Sequence, residues 1–225
     1  MKEENPHERL VHLLKTKSAL KQDVFRTTHE QFAMLKTLIE EEIGILRAQI
    51  DDDRVRLSVM NSSEYEIQVA VGSDVLIFHM HTNVFRFDDN HPIWKTSYLE
   101  EDKDLGFCGI INIYNFLYDS FHYSRQNDQG YLIGRLLINK EKHYLMEGKG
   151  EIGYLFRDFV NGVLGQDELR QIIQRTFCHA LEFDIYTPPY DLVSQVTVYD
   201  MQNLISDLKL KTGKRLGFRF EMDED

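Results

Sequence analysis

Residues 79 to 91 read HMHTNVFRFDDNH, the strongest chemical signal in the chain. His79 and His81 are one residue apart, Asp88 and Asp89 follow, and His91 closes the stretch. If VLIFHMH is a strand, Val75, Ile77, His79 and His81 point to one side, and Leu76, Phe78 and Met80 to the other. The two imidazoles then sit about 7 Å apart at the backbone, close enough to share a divalent metal such as zinc. Asp88, Asp89 or His91 could return to supply a third ligand. One reading is therefore a metal-dependent enzyme built on His79 and His81, with His91 and Asp88 completing the shell. The plainer reading is that histidines at the end of a strand bond to neighbours or water. An HxH pair lacks the helical i, i+4 arrangement that makes HExxH specific. No serine or cysteine at a diagnostic spacing offers a nucleophile.

A second constellation is Asn112, Asn115, Asp119 and His122, spaced 3, 4 and 3 in GIINIYNFLYDSFHYS. In a helix they form one narrow stripe on an otherwise apolar surface, whereas in a strand they scatter over both faces. The spacing therefore predicts a helix. Such a stripe must be solvated or satisfied. It could line the pocket of a small-molecule sensor, or form an exposed seam or a structural hydrogen-bond network. GKGEIG at 148 to 153 lacks the GxxxxGK[ST] order of a phosphate loop and reads as a hairpin end. The acidic run LEEDKD reads as a solvated surface. Cys108 in GFCGII and Cys178 in TFCHAL read as reduced core residues, without CxxC or secreted-scaffold spacing.

The elements that must position these groups follow from periodicity. Asn5 before Pro6 is a helix start, with a first helix through about Thr16. Phe32, Leu35, Ile39, Ile43, Leu46 and Ile50 then recur at about 3.6 residues, the α-helical period rather than the coiled-coil 3.5. Met34, Leu38 and Ile45 widen that stripe, so it packs on a sheet or on a partner's helix. Alternation over residues 55–59 and 65–71, broken by Asn61-Ser62-Ser63, predicts a hairpin, and VLIFHMH adds a third strand. Residues 83 to 106, which hold Trp94, read as an excursion that covers part of the sheet. GYLIGRLLIN and HYLMEG form a second hairpin around Lys140-Glu141-Lys142. Asp167 starts an amphipathic helix carrying Leu169, Ile172, Ile173, Phe177, Ala180 and Leu181. A helix with Met201, Leu204, Ile205 and Leu208 and a last strand LGFRFEM complete the order. The expected fold class is α+β: N-terminal helices over residues 1–50, then a single α+β domain over 51–225. That domain is a mostly antiparallel sheet of about six strands with helices packed on it.

A chain of 225 residues, 42% hydrophobic and 28% charged with four prolines, can bury a core without disulfides or metals. Its formal net charge of −11 repels a phosphate backbone unless basic groups gather on one face. None do so in the sequence, so no nucleic acid is expected. No run approaches the length that spans a bilayer and the first residues lack an apolar signal segment, which implies no membrane partner and a cytoplasmic setting.

Three phrases together, HMHTNVFRFDDNHPIWKTSY, CGIINIYNFLYDSF and TPPYD, resemble a family of uncharacterised bacterial cytosolic proteins. The resemblance covers about residues 76 to 200. It implies a bacterial cytoplasmic setting and supplies no catalytic residues. The expected function is a non-enzymatic binding or regulatory protein without a cofactor. A homodimer held through Phe32, Leu35, Ile39, Ile43 and Leu46 is expected, with a protein partner as a further possibility.

Overall fold

The computed structural model describes residues 5–125, 128–148, 150–184, 190–195 and 197–198. Asn5 caps the first helix as its spacing demands. Its side-chain oxygen accepts a hydrogen bond from the His7 N–H at 3.1 Å, and Pro6 takes the first helical position. Helix α1 (Pro6–Leu13) passes through one wide π-type turn, Leu14–Ser18, into α2 (Ala19–Gln49). Leu13, Leu14, Ser18 and Ala19 all hold helical dihedrals, so the expected helices form one rod. Phe32, Leu35, Ile39 and Ile43 are buried against the sheet and Leu46 packs at their edge. Of the residues that widen the stripe, Leu38 is buried while Met34 and Ile45 are exposed. The stripe expected to hold a second copy is thus part of the chain's own core. Truncating Phe32 to alanine would cost about 3–5 kcal/mol.

The sheet is built from β1 (Leu57–Ser62), β2 (Glu66–Val71), β3 (Asp74–Met80), β4 (Phe85–Arg86), β5 (Phe107–Leu117), β6 (Tyr131–Asn139) and β7 (Tyr144–Gly148). Its order is β1-β2-β3-β5-β6-β7 and every pairing is antiparallel. The two-residue β4 pairs with β5 beyond the end of β3. Short helices α3 (Ser97–Glu101), α4 (Tyr118–His122), α5 (Gly150–Leu155), α6 (Gln166–Leu181) and α7 (Tyr190–Val193) complete the described fold. This is an α+β protein with an N-terminal helix followed by a mostly antiparallel open sheet. No helix among the described residues is long and apolar enough to cross a membrane.

One sheet face carries Ile67, Val69, Leu76, Phe78, Met80, Ile111, Ile113, Leu136 and Ile138, and α2 and α6 lie on it. The rod comes close at Gly109, where an added Cβ would stand 2.1 Å from Thr28 Oγ1. Thr28 is buried there because its hydroxyl donates to the Val24 carbonyl at 2.8 Å. The excursion covers part of the opposite face. Phe87, Ile93, Leu99 and Leu105 meet Cys108, Ile110, Leu137 and Phe159 in a second, smaller core. Asn139, fully buried, ties these pieces together. Its amide donates to the Tyr98 hydroxyl at 3.0 Å and the Leu105 carbonyl at 3.2 Å, while its oxygen accepts from the Glu141 and His143 N–H groups, both at 2.9 Å.

The structure departs from the sequence reading at several points: β1 runs on through Asn61 and Ser62, which were expected to form a turn, and Cys178, expected in the core, is exposed. GIINIYNFLYDSF is the central strand β5 followed by one helical turn, not a long helix. Between β3 and β6 its backbone is paired on both sides, and both its faces are covered in part, so it looks apolar all round. Helix α6 starts at Gln166 with Gly165, not Asp167, as its N-cap, and the Glu168 carboxylate reaches back to accept from the Gly165 N–H at 3.1 Å. The hairpin does end at Gly148, but α5 opens at Gly150, whose φ of +58° suits glycine. The expected helix over residues 201–208 and the strand over 216–222 lie outside the described residues.

Candidate functional site

His79 lies where the alternation puts it, whereas β3 ends at Met80 before His81, and the loop that follows employs its polar groups internally. His79 is half-buried near the end of β3, on the face opposite α2. His81 lies just past that strand; its N–H donates to the Ile110 carbonyl at 2.8 Å. Its Nδ1 accepts from the Asn83 N–H at 3.0 Å, and its ring stands edge-on to Phe85 at 4.8 Å. Asp88 accepts from the Asn90 N–H at 2.9 Å. His91 Nδ1 accepts from the Ile93 N–H at 3.2 Å, with the ring stacked on Phe87. Asp89 pairs with Arg86, whose guanidinium lies over Trp94. His81, Asp88 and His91 thus each hold a turn of their own loop. Among the described residues no three His, Cys, Asp or Glu side chains gather as a metal ion requires.

The second constellation is split by the strand. Asn112 and Asn115 differ by three positions in β5 and so fall on opposite faces, Asn115 buried on the side of the helices. Asp119 and His122 are exposed in α4, and the His122 ring stacks on Tyr118. The four do not form one stripe.

Register creates a different arrangement. Glu66 of β2 lies directly opposite His79 of β3, His79 opposite Asn112 of β5, Asn112 opposite Arg135 of β6, and Arg135 opposite Glu147 of β7. Five polar side chains on five adjacent strands therefore form one straight row, about 19 Å long at the ordinary strand spacing. Gln68 Nε2 donates to Glu66 Oε1 at 2.7 Å, and Arg135 Nη1 approaches Glu147 Oε2 at 3.3 Å. Arg135 Nε is shielded from solvent and has no partner among the described residues. Beside the row run Gln68, Ile77 and Tyr114 on one flank and Ile110, Leu137 and Leu145 on the other. Beyond the second flank lies the smaller core; beyond the first, Ala70 and Val75 are buried and Phe121 packs edge-on against Phe116 at 5.5 Å. The row thus crosses the middle of this face, between two covered ends.

The charge pattern is uneven: carboxylates end the row, and the one guanidinium lies beside the β7 end. Nothing in it is set up as a nucleophile with an adjacent base. Burial pushes the Cys108 thiol up, out of reach of ionisation at neutral pH, so it acts as core. Burial likewise raises the Tyr98 hydroxyl, which stays protonated beside Glu141 Oε2 at 2.9 Å. Sequence reasoning picked out His79 and Asn112 and missed Glu66, Arg135 and Glu147. Glu66 and Arg135 are ordinary polar members of alternating strands, and only the pairing register joins them. Compared with known proteins, the chain matches no family model, no curated protein and no solved structure.

Proposed function

We propose that the chain is a cytosolic, non-enzymatic binding protein that docks a second protein on the open face of its sheet, along the row from Glu66 to Glu147. The observation that carries this reading is the register that aligns five polar side chains across five strands. Groups that hold a small molecule or a metal converge on a concave site. These are spread in a line at strand spacing, which suits an extended segment lying across the strands. The partner's chemistry follows from the charges. It carries a basic group for Glu66 and an acidic group for Arg135, about three strand spacings or 14 Å away. Such paired charges set register and orientation more than raw affinity. Arg135 must leave or share Glu147 to meet the partner, and an exposed pair of this kind costs at most about 1 kcal/mol to break.

The test compares proteins retained from cell extract by the wild-type chain and by a Glu66→Lys, Arg135→Glu variant of unchanged circular dichroism. The reading expects a discrete set of proteins lost from the variant. Identical retention by both would remove it.

A further inference from the structure

Where α2 gives way to β1, the turn between them forms one side of a small basic cleft at the edge of the sheet. Arg47, in the last turn of α2, and Arg56, just before β1, line it together with Ser58 and Tyr118, and its volume is about 290 Å³. That is near the lower end of the range for small-molecule sites. β1 is an edge strand, and the Arg56 carbonyl accepts from the Gly72 N–H at 2.7 Å, so the next carbonyl, that of Leu57, faces away from β2. Arg47 Nε donates to it at 2.5 Å. The Arg56 guanidinium lies over the Tyr118 ring, 4.5 Å from its centre. Each arginine is thus held by a neutral group, a carbonyl or an aromatic ring. Neither pairs with a carboxylate among the described residues.

Asp52 is the only carboxylate in the lining, and it is already engaged. Its two oxygens accept from Nε and Nη2 of Arg54 at 2.6–3.2 Å, and Oδ1 also accepts from the Arg54 N–H at 3.0 Å. Asp51 and Asp53 are exposed in the same turn and do not line the cleft. The carbonyl end of α2 favours one cation, which accounts for Arg47. It does not account for Arg56. In a chain of net charge −11, two arginines that meet in one cleft with four of their neighbours neutral have the chemistry of an anion site.

We infer that this cleft binds the phosphate of a small phosphomonoester between Arg47 and Arg56. A carboxylate has two oxygens in one plane, and a single guanidinium fork satisfies it. Two forks, with the hydroxyls of Ser58 and Tyr118, suit a tetrahedral group that presents three oxygens and nearly two charges. Ile50 and Val55, also in the lining, offer apolar surface to the organic part. None of the five residues of the polar row takes part, so this site and the sheet-face reading stand or fall separately.

Titration of the full chain with phenyl phosphate, followed by amide NMR, tests it, with benzoate and inorganic phosphate as companions. Phenyl phosphate should shift the amide signals of Arg56, Leu57 and Ser58 and saturate them, and inorganic phosphate should displace it. Benzoate, which has the same ring on a planar anion, should bind about tenfold more weakly or worse. Arg47→Gln and Arg56→Gln should each weaken phenyl phosphate about tenfold or more, the loss of one charge-assisted contact. Arg56→Lys should recover only part of that loss, because a point charge replaces the fork. Asp52→Asn keeps the side-chain oxygen that holds the turn and removes the nearest negative charge, so it should tighten binding. The spectra of all variants away from the cleft should match wild type. No saturable shift at residues 56–58, benzoate bound as tightly as phenyl phosphate, or arginine variants of native spectrum that bind like wild type would overturn the proposal.

Discussion

Asn139→Ala offers a quantitative test of how the second core is held. The side chain is fully buried and makes four hydrogen bonds, to Tyr98, Leu105, Glu141 and His143. At about 1 kcal/mol net for each, the loss approaches 4 kcal/mol. The Glu141 and His143 amides belong to a part-buried turn and can recruit water, and Tyr98 keeps its bond to Glu141. The expected cost is therefore about 2–4 kcal/mol, or a fall in Tm of about 5–15 °C for a domain of this size. Trp94, the only tryptophan, packs against the second core and donates from Nε1 to the Asp88 carbonyl at 2.7 Å. Its fluorescence should therefore report loosening of the excursion while far-ultraviolet circular dichroism stays native. Urea unfolding followed by both signals measures the effect. A change below about 0.5 kcal/mol, or loss of the two signals together with no separate early phase for Trp94, would refute the view of Asn139 as the staple.

Other changes follow from the same packing. Arg135→Ala should alter stability by less than about 1 kcal/mol in urea titration, since its pair with Glu147 is nearly half exposed on both sides. Gly44→Ala should stabilise by about 0.5–1 kcal/mol, because that glycine lies inside α2 and an added Cβ meets nothing within 4 Å. Gly109→Val should destabilise by about 2 kcal/mol or more, because its side chain would displace Thr28 from the sheet. The Asp102 carboxyl is held below its ordinary 3.8 by the Asp104 N–H and then by Lys140, and Asp52 and Asp158 are also lowered, chiefly by bonds from Arg54 and Asn161. All three bind protons more weakly folded than unfolded, so their stabilisation is complete above about pH 4 and is lost as the pH falls below it. Urea midpoints taken from pH 6 downward should drop in that window, and Asp102→Asn should flatten the drop.

The meander of β1 to β3 was legible because each strand has one face on the helices and obeys a period of two, which placed Leu76, Phe78 and Met80 inward and His79 outward. Helix α2 was equally legible from its 3.6-residue stripe, although whether the stripe faced a sheet or a second copy was not. β5 misled for a physical reason: with Ile111 and Ile113 in one core and Cys108 and Ile110 in the other, alternation disappears. The 3, 4, 3 spacing of Asn112, Asn115, Asp119 and His122 then imitated a helix face that the chain does not form. The polar row was hidden because its members come from five separate strands. Glu66 and Glu147 share a surface only after every intervening turn has fixed its register.

Site-specific photo-crosslinking tests the central claim most directly, that the open sheet face is the docking surface. A benzophenone side chain at position 112, mid-row, should give a discrete adduct in cells, whereas the same group at exposed position 40 on α2 should not. Adding Glu66→Lys and Arg135→Glu should abolish the adduct at 112. No adduct at 112, or the same adduct at 40, would contradict the account.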